Sequence, residues 1–216
     1  MRHWNTYIFD LDGTLLDTLD DLAAATNYAL RQYGMPEHTR DDIRRFVGNG
    51  VRMLMVRAVP GGEQNPQFED ALATFREYYL HHAQDVTAPY PGIAELLSEL
   101  RRCGCRVAVV SNKFCAATET LCRHFFPTTV EVAIGENEAA GIRRKPAPDT
   151  VNEALRQLGA DAATAVYVGD SEVDILTARA AQLPCISVLW GFRDRQFLLE
   201  HGATCFANRP ADLLRL

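Results

Sequence analysis

Asp10 and Asp12 stand two residues apart, with Leu11 between them, at the end of a short apolar run and directly before Gly13. Ser111 and Asn112 end a second apolar run, and Asp170 and Asp174 follow a third. Carboxylates brought face to face repel one another, and each tends to take up a proton. A divalent cation removes that conflict, and magnesium suits a few carboxylates together with waters and substrate phosphate oxygens. A competing account makes each acid or serine an N-cap for the helix after its strand. That would explain Asp170 or Ser111 alone. It does not explain Phe9-Asp10-Leu11-Asp12-Gly13-Thr14-Leu15, where two acids alternate at a strand end and then meet a glycine.

The elements that must position these residues can be read from hydrophobic patterning. Tyr7–Phe9, Arg106–Val110, Val130–Ile134, Ala165–Val168 and Cys185–Leu189 are short runs rich in Val and Ile, without polar alternation. Strands covered on both faces by helices look like this. Between them, Ile93/Leu96/Leu97/Leu100, Val151/Ala154/Leu155/Leu158 and Ile175/Ala178/Ala181 follow the helix period, and Gly159 stops the second of these helices. The expected fold is α/β, a doubly wound parallel sheet with the first strand central. In such sheets ligands bind outside the carboxyl ends of the strands, so Asp10, Ser111 and Asp170 should meet in one crevice.

One stretch breaks the alternation. Between about residues 16 and 86 only helical patterns appear, four in number, beginning with Leu19/Leu22/Ala23/Thr26 and ending with Phe75/Tyr78/Tyr79/His82. Thr18 with Asp21, and Thr39 with Asp42, resemble capping boxes. The expected division is a core of residues 1–15 and 87–216, with a helical insert over 16–86.

Composition excludes several classes. The 216 residues carry a formal charge of -6, with 22 Lys+Arg against 28 Asp+Glu, which leaves no basic footprint for nucleic acid. No apolar run is long enough for a membrane span. The segment Met1–Thr6 is too short and polar for a signal peptide, so a cytoplasmic location is expected. The six cysteines include Cys103-x-Cys105 but no second pair to complete a zinc site, and read as reduced thiols. His81-His82 closes the last helix of the insert, where a metal site or simple helix-end electrostatics would both explain it. Trp4 and Trp190 read as packing residues and Glu172 as solvated.

Four segments, in order, resemble the motifs of the haloacid dehalogenase superfamily, and specifically of its phosphatases. Asp10-Leu11-Asp12-Gly13-Thr14-Leu15 is similar to the first, Ser111-Asn112 to the second, Lys145-Pro146 with Pro148 to the third, and Gly169-Asp170-Ser171 with Asp174 to the fourth. The resemblance implies roles residue by residue. Asp10 attacks phosphorus and becomes an aspartyl phosphate. Asp12 protonates the leaving oxygen and later accepts a proton from the hydrolytic water. Mg2+ is held by the Asp10 and Asp170 carboxylates and the backbone carbonyl of Asp12. Ser111 and the Asn112 amide hold phosphate oxygens, and Lys145 keeps Asp10 ionised. Asp174 orients Lys145 or a metal-bound water, with a first-turn helix acid as the competing reading.

The insert falls where this superfamily carries a helical cap. Residues 17–30 and Val47-Gly48-Asn49-Gly50-Val51-Arg52, running on to Arg57-Ala58, resemble bacterial phosphoglycolate phosphatases. Asn49 between two glycines could let amides approach an anion, and Arg52 or Arg57 could meet a carboxylate; a loop with two solvated arginines is the alternative. The expected reaction is Mg-dependent hydrolysis of a small phosphate ester, 2-phosphoglycolate first, in a monomer or homodimer. The alternatives are a phosphosugar mutase, a sugar-phosphate or pyrophosphate phosphatase, or an idle binding protein of the same fold.

Overall fold

A computed structural model describes residues 4–137 and 141–216. Residues 1–3, at the start of the segment read as preceding the first strand, lie outside the described residues. By its internal contacts the chain divides into two compact units, Met1–Leu16 with Pro89–Leu216, and Asp17–Ala88.

The first unit is built on β1 (Thr6–Phe9), β4 (Arg106–Phe114), β5 (Val132–Glu136), β6 (Ala165–Gly169), β7 (Cys185–Val188) and β8 (Phe206–Ala207). They form one six-stranded sheet in the order β5-β4-β1-β6-β7-β8, and every pair is parallel. β1 is flanked on both sides, as the continuous apolar runs predict. Alternate residues serve opposite faces. Phe9, Val107, Val109, Val166 and Val168 pack with α5 (Ile93–Arg102) and α6 (Cys115–Phe125). Ile8, Ala108, Val110 and Tyr167 pack with α7 (Asp149–Leu158) and α8 (Glu172–Ala180). Both sheet faces are therefore buried, which is why the strands lack polar alternation. Gly159 caps α7 in the left-handed conformation at φ 61°. A further helix, α9 (Arg195–Glu200), places Leu198 beside Ile175 of α8.

Two boundaries differ from the reading of the sequence. β4 does not end at Val110 but continues through Ser111, Asn112 and Lys113 to Phe114, with a register shift against β5 between Val110 and Phe114. β5 begins at Val132 rather than Val130, because Val130 closes a turn on Phe126 through its amide.

The second unit holds α1 (Leu19–Gln32), α2 (Arg40–Phe46), α3 (Gly50–Ala58) and α4 (Phe68–His82). Leu22, Ala25, Ala29, Ile43, Leu54, Met55, Phe68, Leu72, Phe75 and Tyr79 are buried, and Tyr28 stacks on Tyr78 at 4.1 Å. The capping box of Thr39 with Asp42 forms. That of Thr18 with Asp21 does not, since Thr18 makes no side-chain cap bond. Asp21 is buried and accepts instead from the amides of Val86 (3.2 Å) and Thr87 (2.9 Å). Those amides need an acceptor once removed from water, and that need outweighs a helix cap. The short strands β2 (Leu16–Asp17) and β3 (Ala88–Pro89) pair where the chain passes between the units. Among the described residues no helix is long and apolar enough to cross a membrane.

Candidate active site

The side chains that could do chemistry in the first unit lie at the C-terminal ends of β1, β4 and β6 and on the loop before α7. Asp10 follows β1, and its amide donates to Val168 O at 2.9 Å, so the first acid is tied to the end of β6. Its Oδ1 lies 2.8 Å from Lys145 Nζ. The same Nζ is 2.8 Å from Asp174 Oδ1 and donates to Tyr167 Oη at 3.1 Å. Lys145 is 3% exposed, so its charge is almost wholly stabilised by these partners.

Each partner is itself fixed. The Asn112 carboxamide accepts from the Lys145 amide at 2.8 Å and donates to the Lys145 carbonyl at 3.0 Å. Asp174 occupies the third position of α8 and completes a capping box with Ser171, whose amide (3.1 Å) and hydroxyl (2.6 Å) both donate to Oδ2. Tyr167 donates its hydroxyl to Asp174 Oδ1 at 2.8 Å. Asp174 is thus both a helix acid and an orienter of Lys145; the two readings are one structure.

Asp170 is 1% exposed and, among the described residues, forms no ion pair within 4 Å, although Arg193 is near enough to favour its anion slightly. Its Oδ1 accepts from Thr14 Oγ1 at 3.1 Å and its Oδ2 from the Phe192 amide at 2.8 Å. Glycines make this approach possible. Gly13 sits at φ 85°, and a Cβ there would fall 2.4 Å from Asp170 Oδ2. A Cβ on Gly191 would fall 2.4 Å from both Asp170 Cβ and the Gly13 carbonyl. Trp190, a half-buried packing residue, also donates its indole N–H to Thr14 O at 2.9 Å.

Asp12 has a different environment from Asp10. Its Oδ1 lies 3.1 Å from Nζ of Lys113, a lysine whose side chain is 2% exposed. Ser111 is buried, and its Oγ accepts from the Lys113 amide at 3.2 Å.

Electrostatics separate the acids. Burial, reinforced by Asp174, pushes the Asp10 carboxyl well above the usual carboxylate range, and Lys145 does not overcome it. Lys145 was expected to keep Asp10 ionised together with a metal; alone it is not enough. Burial and the neighbouring Asp174 raise Asp170 to about 7. Burial also acts on Asp174, but Lys145 outweighs it and holds that carboxyl below its ordinary value.

This pattern fits a hard divalent cation. Carboxylate oxygens of Asp10, Asp170 and Asp174 lie within 4.8 Å of one another. With Asp12 there are four acids, and the two buried lysines Lys113 and Lys145 stand beside Asp12 and beside Asp10 and Asp174. All the acidic donors are oxygen, the preference of magnesium. Asp174 has both oxygens engaged, Oδ1 by the Lys145 ammonium and Tyr167 and Oδ2 by Ser171. Asp170 accepts only from the neutral Thr14 hydroxyl and Phe192 amide, and Asp10 is engaged through Oδ1, so these two carboxylates are the ones more open to an ion.

The remaining sequence candidates lie in the second unit. Asn49 precedes α3, and its Oδ1 accepts from Arg57 Nη2 at 2.6 Å. Arg52 is paired with Glu63 and Glu69, each at 2.7 Å, and lies over the Phe68 ring. His82 binds Asp85 at 2.8 Å and stacks on Tyr78. Glu172, read as solvated, is instead 3.5 Å from Arg193, both side chains partly buried. Thr14, Tyr167 and Lys113 were not singled out from the sequence. Thr14 lies inside the first motif and Lys113 directly follows the second, so adjacency was the available signal. Tyr167 gave none, because a tyrosine in an apolar strand reads as core.

A family model described as haloacid dehalogenase-like hydrolase matches residues 7–188. A phosphoglycolate phosphatase of Caulobacter vibrioides is 37% identical over 88% of this chain and 81% of its own length. A crystal structure from Lactobacillus delbrueckii subsp. bulgaricus, provisionally a phosphoglycolate phosphatase, has 39% identity and a TM-score of 0.93 over 98% of this chain and 97% of that one. CbbY from Rhodobacter sphaeroides, solved in complex with phosphate, has 27% identity and a TM-score of 0.78 over 97% and 96%. This chain belongs to the haloacid dehalogenase-like hydrolases and is a phosphatase among them.

Proposed function

We propose that the enzyme hydrolyses 2-phosphoglycolate in the presence of magnesium, through a phosphoryl group carried on Asp10. The supporting observation is the different setting of two neighbouring acids: Asp10 shares Lys145 with Asp174, while Asp12 stands 3.1 Å from a second buried lysine, Lys113. The choice of substrate is supported by the 37% identity to a phosphoglycolate phosphatase.

In the first step an Asp10 Oδ attacks phosphorus, the bond from phosphorus to the glycolate oxygen breaks, and the Asp12 proton passes to that oxygen. In the second step water attacks phosphorus, the bond to Asp10 breaks, and the water proton returns to Asp12. Asp10 is restored and phosphate leaves. Lys145 offsets charge on Asp10 and the phosphoryl group, and Ser111 Oγ and the Asn112 amide hold phosphate oxygens. Magnesium, held by the Asp10 and Asp170 carboxylates and the Asp12 carbonyl, would supply charge stabilisation that the lysines alone leave incomplete.

The unit Asp17–Ala88 is proposed to act as a cap that excludes water and reads the leaving group. Asn49 and Arg52 are its proposed substrate contacts. For Arg52 this means exchanging Glu63 or Glu69 for the carboxylate of the substrate, since both pairs are partly exposed and weakly held. A panel of phosphate esters ranked by kcat/KM tests the reading. It should place 2-phosphoglycolate first; a sugar phosphate or pyrophosphate turned over faster would overturn the substrate, and conversion of glucose 1-phosphate to the 6-phosphate would make the protein a mutase.

A further inference from the structure

Lys113 is a buried cation that the reaction as derived does not use. It stands in the part of β4 where the pairing with β5 shifts register, between Val110 and Phe114. Shifts of this kind re-aim side chains beside active sites. Three consecutive polar residues are placed there, and each has a separate partner. Ser111 accepts from the Lys113 amide, the Asn112 carboxamide grips the Lys145 backbone, and Lys113 Nζ reaches Asp12 Oδ1 at 3.1 Å.

The backbone of Lys113 has little freedom. Its carbonyl accepts from Thr118 Oγ1 at 3.3 Å, and a Cβ on Gly135 would fall 2.7 Å from that same oxygen. The lysine side chain is 2% exposed, so it cannot swing out to solvent without moving its neighbours. Asp12 is 15% exposed at its side chain and comes from the loop after β1. A short side chain on a loop can adopt several rotamers. An ammonium held rigidly on a neighbouring strand selects one.

We propose that Lys113 is a positioning residue for Asp12: it fixes the carboxyl of the second acid in the orientation from which a proton reaches the leaving oxygen, and keeps it from the metal-binding carboxylates. The inference rests on the reading of Asp12 as the acid and base of the two steps. Lys113 takes no part in bond making. Its contribution is geometric, and misplacing a reacting group by about 1 Å can cost roughly 100-fold in rate.

The proposal is tested with Lys113→Met and Lys113→Arg, each alone and with Asp12→Ala, on 2-phosphoglycolate and on p-nitrophenyl phosphate. The first ester needs a proton on its leaving oxygen; the second barely does. The readout is the ratio of kcat/KM for the two esters, which does not depend on the fraction of correctly folded enzyme. Lys113→Met should depress phosphoglycolate turnover at least about 10-fold more than nitrophenyl phosphate turnover, with most of the loss in kcat. Lys113→Arg, which keeps the charge, should recover part of that ratio. In the Asp12→Ala background, Lys113→Met should leave the ratio unchanged, because there is no carboxyl left to position.

If Lys113→Met lowers both esters equally, or raises only KM for phosphoglycolate, the proposal is overturned and Lys113 is a packing residue or a substrate contact. A ratio change that persists in the Asp12→Ala background also overturns it. If instead Asp12→Ala itself fails to discriminate between the esters, the assignment of Asp12 is at fault, and Lys113 falls with it.

Discussion

If magnesium binds at Asp170 as proposed, its binding is linked to a proton. The Asp170 carboxyl is raised to about 7 by burial and by Asp174, which outweigh the Phe192 amide, Thr14 and the charge of Arg193. A metal requires that carboxyl deprotonated, so the ion and the proton compete. With a pKa near 7, Asp170 alone is about nine-tenths protonated at pH 6 and about one-tenth at pH 8. The apparent Kd for Mg2+ should therefore weaken about tenfold between pH 8 and pH 6, about 1.4 kcal/mol of binding free energy. Asp10, also raised, adds in the same direction. Titration calorimetry in two buffers of different ionisation enthalpy measures the protons released. Roughly one proton per ion should appear at pH 6, and correspondingly fewer at pH 8. Asp170→Asn should bind magnesium more weakly and lose most of the pH dependence. An affinity unchanged from pH 6 to pH 8, with no proton release at pH 6, would refute the electrostatic reading of the site.

Three further outcomes follow from the same geometry. Without metal, the native state binds more protons than the unfolded chain between about pH 4 and 7, since Asp170 titrates at about 7 when folded and near its ordinary value when unfolded. Metal-free stability should fall as pH rises through that window, and magnesium should reverse the fall; urea midpoints at pH 5 and pH 7, with and without Mg2+, check both signs. Lys145→Met leaves Asp10 and Asp174 buried without their cation and should cost about 3–5 kcal/mol of stability as well as activity, measured by urea unfolding. Gly13→Ala meets both a positive φ and the Asp170 carboxylate at 2.4 Å, so it should weaken magnesium affinity and slow turnover while the fold persists by circular dichroism.

Much of the sheet was legible because β1, β4, β6 and β7 are buried on both faces and must be continuously apolar. The acids were legible because a sheet of this kind brings strand ends together. What escaped reading depended on tertiary partners. The run Ser111-Asn112-Lys113 is polar and so marks a strand end by pattern, yet β4 continues through it because those side chains bond to the site. Asp21 reads as a helix cap until the amides of Val86 and Thr87 arrive beside it. α6 was missed because its Cys-Ala-Ala-Thr start carries little periodic signal, and β8 because two residues make no pattern. The pairing of Arg52 with Glu63 and Glu69 depends on separations of 11 and 17 residues that no local spacing rule covers.

The proposed mechanism turns on Asp10 as the carrier of the phosphoryl group. Its most direct test is rapid acid quench of enzyme mixed with radiolabelled substrate and magnesium, followed by peptide mapping of the label. Asp12→Ala, in which hydrolysis of the intermediate should be slow, provides the best chance of accumulation. An acid-stable, alkali-labile label should appear on the peptide that contains Asp10 and be absent from Asp10→Ala. Label on any other residue, or turnover by Asp10→Ala at a rate comparable to the unaltered enzyme, would contradict it.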